Sequence, residues 1–302
     1  MAVAGWKALL ALLVFPIAQS RSALQPDSVA SGGARRAEAQ VLRSRVVWLP
    51  AGRFVMGSDA SGIELARRLC RAEPYAEIDS ALCETDRFAD EAPRHTVLVG
   101  GYGIDRTEVT NGAYRRCVRA GFCRPSRVAA DDPRFGAEEQ PVSDIAWAEA
   151  GRYCAWVGGR LPTEAEWERA ARGPGGRRFP WGNQYNPRLA NHGALDDPEW
   201  DERDGHRYAA AVGSYPEAAS PYGLLDMAGN VWEWVQDYWS SDAYSRGPMV
   251  DPRGPDLGSY RVVRGGSWRF PSFTLRTTNR AYATPETRRV DIGFRCAYSP
   301  SR

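Results

Sequence analysis

Residues 223–234 read GLLDMAGNVWEW and gather the residue types that bind a hard cation. Asp226 and Glu233 supply anionic oxygens, and Gly229 relaxes the backbone so that a turn can present carbonyl oxygens. Trp232 and Trp234 can wall such a turn off from water. Oxygen donors from side chains and main chain, fixed in one place, are what calcium requires. The mixture suits neither a plain helix nor a plain strand. Taken alone, the two carboxylates could also be solvent-facing turn acids.

The second group with chemical potential is the set of six cysteines: Cys70, Cys83, Cys117, Cys123, Cys154 and Cys296. None has CxxC spacing, and with three histidines in the chain a zinc site is not expected. An even number in an exported chain points to disulfides. Cys117 and Cys123 flank the end of an expected helix and can close a short loop. Cys70 and Cys83 share one insertion and are expected to pair there. That leaves Cys154 with Cys296, joining mid-chain to C-terminus.

Export is read from the N-terminus. Lys7 precedes an apolar run at 8–18, and Ala18-Gln19-Ser20 offers the small residues of a cleavage site, so 1–20 is expected to be a signal peptide. The run is too short for a permanent membrane anchor, and no cysteine follows it for lipid attachment. Residues 21–43 are small and polar and read as a flexible linker, leaving 44–302 as the folded domain. A net charge of +2 gives no electrostatic case for nucleic acid. Every cation except Lys7 is arginine, which a genome's codon bias explains more simply than a functional arginine surface. The GGRR cluster at 175–178 is too small to imply a polyanion.

The elements that must position these residues are short. VVWLPAGRFVMG predicts two strands around Pro50-Ala51-Gly52, and residues 58–94 read as a polar insertion carrying two cysteines. HTVLVGGYGID returns to strand character. Thr110 caps a helix over 111–120 that ends at Gly121. Ser143 is expected to start a second helix, DIAWAEAGRYCAWVG, with apolar residues at helical spacing. Thr163 and Glu166 form a capping box for a third helix, which Gly173-Pro174 stops. Beyond it, glycine, proline and aromatics predict only short elements.

Seven strings fall in one order: GRFVMGS (52–58), TEVTNGAY (107–114), GRLPTEAEWERAAR (159–172), FPWGN (179–183), GLLDMAGNVWEW (223–234), RVVRGGSW (261–268) and GFRC (293–296). Together they resemble the formylglycine-generating enzyme family, also called sulfatase-modifying factors, over about residues 44–298. The resemblance implies one α+β domain related to the C-type lectin fold, with little regular secondary structure and usually with calcium. It implies a first calcium site at Asn191, His192, Asp204 and His206, in a stretch rich in competing acids. A second would use Asp226, the carbonyls of Gly229 and Val231, and Glu233. It also supports the Cys154–Cys296 pairing.

One departure matters most. Catalytic family members bind copper(I) through two cysteines shortly after the GGS segment, because the soft ion prefers thiolate. Here the segment reads GGSWRFPSFTLRTTNR, residues 265–280. Phe270 stands for the first cysteine, and none of Ser272–Leu275 is a cysteine. No copper site is therefore expected. The pocket expected there retains Trp232, Ser267, Trp268, Arg276 and Arg280. The two arginines are suited either to clamping a carboxylate or phosphate or to internal ion pairs. Glu286 and Asp291 read as solvated loop carboxylates, and no histidine lies near Ser267 in sequence to make a catalytic triad.

Three functions follow in order of expectation. The first is an exported calcium-stabilised module that binds a peptide, protein or small molecule. The second is a periplasmic oxidoreductase using a cysteine-free pocket, since the resemblance extends to exported relatives associated with oxidative maturation of a siderophore chromophore. The third is formylglycine generation itself. An arginine-rich exported chain without an endoplasmic-reticulum retention tail suggests a bacterial periplasmic or secreted protein.

Overall fold

In a computed structural model that describes residues 46–73, 83, 86–193, 202, 204–247 and 249–300, the first apolar run forms β1 (Val46–Leu49) and β2 (Gly52–Met56) on either side of Pro50-Ala51, as predicted. The expected signal peptide and linker lie outside the described residues. The polar insertion is more structured than its composition suggests. Asp59 caps α1 (Ala60–Arg71) by accepting from the Gly62 amide, and a 3-10 turn follows at Asp86–Glu91. Phe88 of that turn packs edge-on against Phe273, their ring centres 5.6 Å apart, so the insertion joins the core rather than hanging from it.

β3 (His95–Val99) and β4 (Tyr102–Asp105) come next. They pair antiparallel with β2 and β1 respectively. α2 (Asn111–Arg119) starts where Thr110 accepts from the Ala113 amide. α3 (Trp147–Trp156) begins later than the sequence suggests. Asp144 adopts a φ of 58°, and the Trp147 amide donates to the Pro285 carbonyl at 3.0 Å, so the 143–146 stretch serves tertiary contacts instead of a helical turn.

α4 (Glu164–Arg172) is the centre of the molecule, and every residue in it is buried. Its capping box closes as predicted: Thr163 accepts from the Glu166 amide at 3.2 Å, and Glu166 accepts from the Thr163 amide at 2.8 Å. Gly173 ends it with a φ of 66°, and a side chain there would collide with Pro221. The second half of GLLDMAGNVWEW is a strand after all: β5 (Trp232–Tyr238) lies inside a sheet. The short α5 (Ala243–Arg246) follows. Then come β6 (Arg261–Arg264), β7 (Ala281–Ala283), β8 (Ile292–Gly293) and β9 (Ala297–Tyr298).

The sheets are small: β1-β4-β9, β2-β3 and β7-β6-β5-β8. Within the last, only β5 and β8 run parallel. Strands this short cannot bury a large core unaided. Trp167 and Trp234, both fully buried, fill two neighbouring cores: Trp167 packs with the α4 alanines, β2 and β3, and Trp234 with α3 and the Ile145 segment. The disulfides Cys70–Cys83, Cys117–Cys123 and Cys154–Cys296 form as expected and use all the cysteines. The last closes a separation of 142 residues and ties α3 to the segment before β9. No helix among the described residues is long and apolar enough to cross a membrane.

Candidate functional site

Three motifs far apart in sequence meet at the turn that opens β5. Asp226, Gly229 and Asn230 all have positive φ, at 57°, 80° and 62°. Gly229 is required on two counts, since a Cβ there would lie 2.1 Å from the Asn191 carbonyl oxygen. The Asn230 amide donates to that carbonyl at 2.8 Å. The Gly229 amide donates to Gly265, and the Trp268 amide donates to Asn230. The turn therefore ties the 191 segment to RVVRGGSW through main-chain bonds.

Carboxylates gather beneath it. Glu108, absent from the expected site, is buried in the TEVTNGAY motif and accepts from Asn230 Nδ2 at 2.7 Å and the Val231 amide at 3.0 Å. Burial, then the neighbouring Asp226 and Glu233 charges, push its carboxyl well above the usual range. Burial pushes Asp226 up to about 6 against the attraction of Arg295, while its carboxylate accepts from the Gly213 amide at 2.7 Å. No sequence signal links Glu108 to Asn230, because the contact spans 122 residues.

Glu233 is held by a buried guanidinium. Arg295 donates Nε to one carboxylate oxygen and Nη2 to the other, each at 2.7 Å, and Trp167 Nε1 adds a bond at 2.9 Å. Arg295 also reaches the Leu225 and Asp226 carbonyls at 3.0 and 3.1 Å. The arginine of GFRC thus neutralises the carboxylate of the expected second calcium set, beside Asp226, Gly229 and Val231.

At the first expected set, the 191 segment meets the 204–206 turn. Asp204 accepts from the His192 amide at 2.5 Å and from the His206 amide at 3.0 Å. Asn191 Nδ2 donates to the Tyr208 carbonyl at 2.9 Å and to Asn230 Oδ1 at 3.3 Å, which fixes the orientation of the amide. Its Oδ1 is left buried with no hydrogen-bond partner. An orphaned buried acceptor beside a carboxylate is costly unless something electropositive meets it. The residues at 191, 192, 204 and 206 therefore fit a calcium ion. They would present the Asn191 amide oxygen, the Asp204 carboxylate and main-chain oxygens, and the ion would bring positive charge to a region rich in acids.

The residues of the expected pocket divide into two places. Trp268 is buried among Phe135, Ala209 and Val231, and Phe270 packs edge-on against Trp232 with ring centres 5.5 Å apart. Ser267 Oγ donates to Asp291 at 3.3 Å. Asp291 is itself buried and held by Arg289 at 2.6 Å, so it is not the solvated acid expected from sequence. Arg276 and Arg280 lie elsewhere and take the internal alternative. Arg276 grips both oxygens of Glu91 at 2.6 and 2.7 Å, and Arg280 grips Glu164 at 2.8 and 3.1 Å. Both ion pairs are buried, so these guanidinium groups brace the fold.

With this geometry in view, the relatives are informative. A family model described as the sulfatase-modifying factor enzyme 1-like domain matches residues 33–300, and the chain belongs to that family. A formylglycine-generating enzyme of Streptomyces coelicolor is 34% identical over 284 residues, covering 83% of this chain and 88% of the relative. The inactive C-alpha-formylglycine-generating enzyme 2 of Mus musculus is 31% identical over 305 residues, covering 85% and 86%. Among solved structures, PvdO from Pseudomonas aeruginosa superposes with a TM-score of 0.64 at 29% identity, over 83% of this chain and 93% of that one. The mixed helix and strand content with few regular elements is that of this family. Its three disulfides point to folding in an oxidising, extracytoplasmic compartment.

Proposed function

We propose that this chain is an exported binding or accessory protein of the sulfatase-modifying-factor fold, periplasmic or secreted, that does not make formylglycine by copper chemistry. Calcium held by Asn191, His192, Asp204 and His206 stabilises it. The observation that carries the reading is the chemistry of the 270–275 segment. Phe270 is packed on Trp232, and Phe273 and Leu275 are buried in the core where a thiolate pair would be needed. The cysteines the chain does have are all in disulfides. A copper(I) centre needs soft sulfur ligands, and neither set of residues offers them. Its partner is a peptide, a protein or a small molecule. The test is to incubate the protein with copper(I), oxygen and a cysteine-containing sulfatase peptide. No aldehyde is expected by mass spectrometry, and copper-dependent conversion would refute the proposal.

A second reading, an exported oxidoreductase or maturation enzyme using a cysteine-free pocket, is favoured by the similarity to PvdO. It requires access to Ser267, which sits fully buried between Trp268 and the Asp291 carboxylate. Hydroxyl-radical footprinting separates the two readings. Strong labelling of Trp268 in the free protein would favour the enzyme, and protection would favour the binding module.

A further inference from the structure

A cleft of about 360 Å³ opens beside the start of α1, and neither Ser267 nor any residue of the 191–206 segment lines it. Its walls carry Arg94, Arg172, Arg178 and Arg276, against Asp59 as the one lining carboxylate. Two of these arginines are neutralised from behind: Arg276 by Glu91, and Arg172 by Glu168 at 2.7 Å. Arg94 pairs with Asp59 at 2.8 Å at the rim. Arg178 has no carboxylate partner among the described residues; its Nη2 donates only to Ser61 Oγ, at 3.3 Å. The cleft therefore keeps one uncompensated guanidinium.

A second observation is independent of that charge count. Arg172 lines the wall with a side chain only 6% exposed, and its Nη2 donates one hydrogen bond, to the Gly176 carbonyl at 3.2 Å, which leaves a second N–H on that nitrogen. An oxygen of a ligand in the cleft can accept from that second N–H. Gly176, also in the wall, has a φ of 68°, and a Cβ there would stand 3.5 Å from Arg172 Nη2 and 3.9 Å from Nε. A side chain there would lie in contact with the Nη2 edge of the guanidinium. Asn183 accepts from the Arg178 amide through Oδ1, which leaves its Nδ2 available as a further donor.

We propose that this cleft binds a tetrahedral oxyanion, the phosphate or sulfate group of a small molecule. The donors come from separate segments, around 94, 172, 178 and 183, and so approach from different directions. That arrangement suits oxygens pointing to the corners of a tetrahedron, whereas a planar carboxylate is best met by one coplanar fork. Excess positive charge against a partly desolvated wall strengthens the attraction.

The proposal is tested by calorimetric titration of the whole folded protein with inorganic phosphate, sulfate and acetate, in a chloride buffer of low ionic strength. Phosphate, sulfate or both should bind at least ~10-fold more tightly than acetate, and their ranking assigns the natural group. Arg178→Ala should weaken oxyanion binding ~10-fold or more. Its folding should be unchanged, because the Arg178 carbonyl still accepts from the Thr277 amide and hydroxyl. Arg94→Ala, which bares Asp59 at the rim, should weaken binding as well. Arg119→Ala, at an exposed position elsewhere on α2, is the control and should change nothing. No oxyanion binding by the parent, acetate binding equally well, or an Arg178→Ala variant that binds like the parent would each overturn the proposal.

Discussion

Around α4, buried charges of both signs interleave. Glu168 meets Arg172 at 2.7 Å and Arg264 at 2.6 Å, while Arg264 also lies 3.6 Å from Glu164, which Arg280 grips. Around the turn that opens β5, by contrast, Glu108, Asp226 and Glu233 face one buried guanidinium, that of Arg295. The first region is a closed lattice in which each ion is held by its neighbours. The second carries surplus acid and, beside it, the orphaned Asn191 oxygen. Buried charges alone therefore do not mark a site in this molecule. An imbalance of charge distinguishes the region able to bind something from the region that is braced.

The largest effect is expected from breaking the lattice. Glu168→Ala removes the carboxylate that holds Arg172, Arg264, the Gly57 amide and Tyr244. Leaving two buried guanidinium groups short of a partner should cost about 3–5 kcal/mol in urea denaturation. Calcium should not rescue the loss. A cost below ~1 kcal/mol would mean the lattice is far more solvated than its burial indicates.

The unbalanced region should respond to calcium instead. In the parent, calcium at ~100 times its dissociation constant should raise stability by about 2.7 kcal/mol, and chelator should reverse the rise. Asp204→Asn and Asn191→Ala should each abolish that response, read as a calcium-dependent shift in melting temperature. A parent that melts identically with calcium and with chelator would remove the proposed ion and leave Asn191 Oδ1 unexplained.

Asp237 tests the border between the two regions. Its carboxylate accepts from the Glu164 amide at 2.8 Å at the start of α4, and no cation is close enough to offset its burial. Burial, with the Glu164 charge adding, pushes it up to about 8. The folded state thus prefers the protonated form. The stability Asp237 contributes is complete below its ordinary value of 3.8 and is lost as pH rises towards about 8. Asp237→Asn keeps an acceptor for the amide and removes the charge. It should flatten the decline of melting temperature over that range and gain on the order of 2 kcal/mol near its upper end. An unchanged pH profile would show that Asp237 ionises freely in the fold.

The smallest effect is expected at the surface. Arg246 and Asp242 pair at 2.9 Å with the arginine side chain 81% exposed, and Arg246→Ala should change stability by less than ~0.5 kcal/mol. A larger loss would blur the distinction between buried lattice and solvated pair.

Much of the scaffold could be read locally. Thr110, Thr163 and Glu166 announce helix starts because a cap and its target amides lie within one turn of each other. The disulfides followed from spacing and elimination, because Cys117 and Cys123 bracket a helix end and each remaining choice narrowed the next. The 143–146 stretch departs from the expected helix because the Asp144 and Trp147 amides bond to the Arg289 and Pro285 carbonyls, distant partners that no local pattern reveals. The 58–94 insertion was undervalued for the same reason: its Phe88 and Glu91 find Phe273 and Arg276.

By itself, the sequence determined the family, the α+β scaffold, the cysteine pairing and the absence of thiols at 270–275, since each rests on residue identity and near-neighbour spacing. The tertiary structure decided the use of the charges. It gave Glu233 to Arg295, Arg276 to Glu91 and Arg280 to Glu164, and left Arg178 and the Asn191 oxygen unmatched. Charge compensation acts through space at a few ångströms, and the partners here are separated by tens to hundreds of residues along the chain. A single sequence names the ions, and only the fold pairs them.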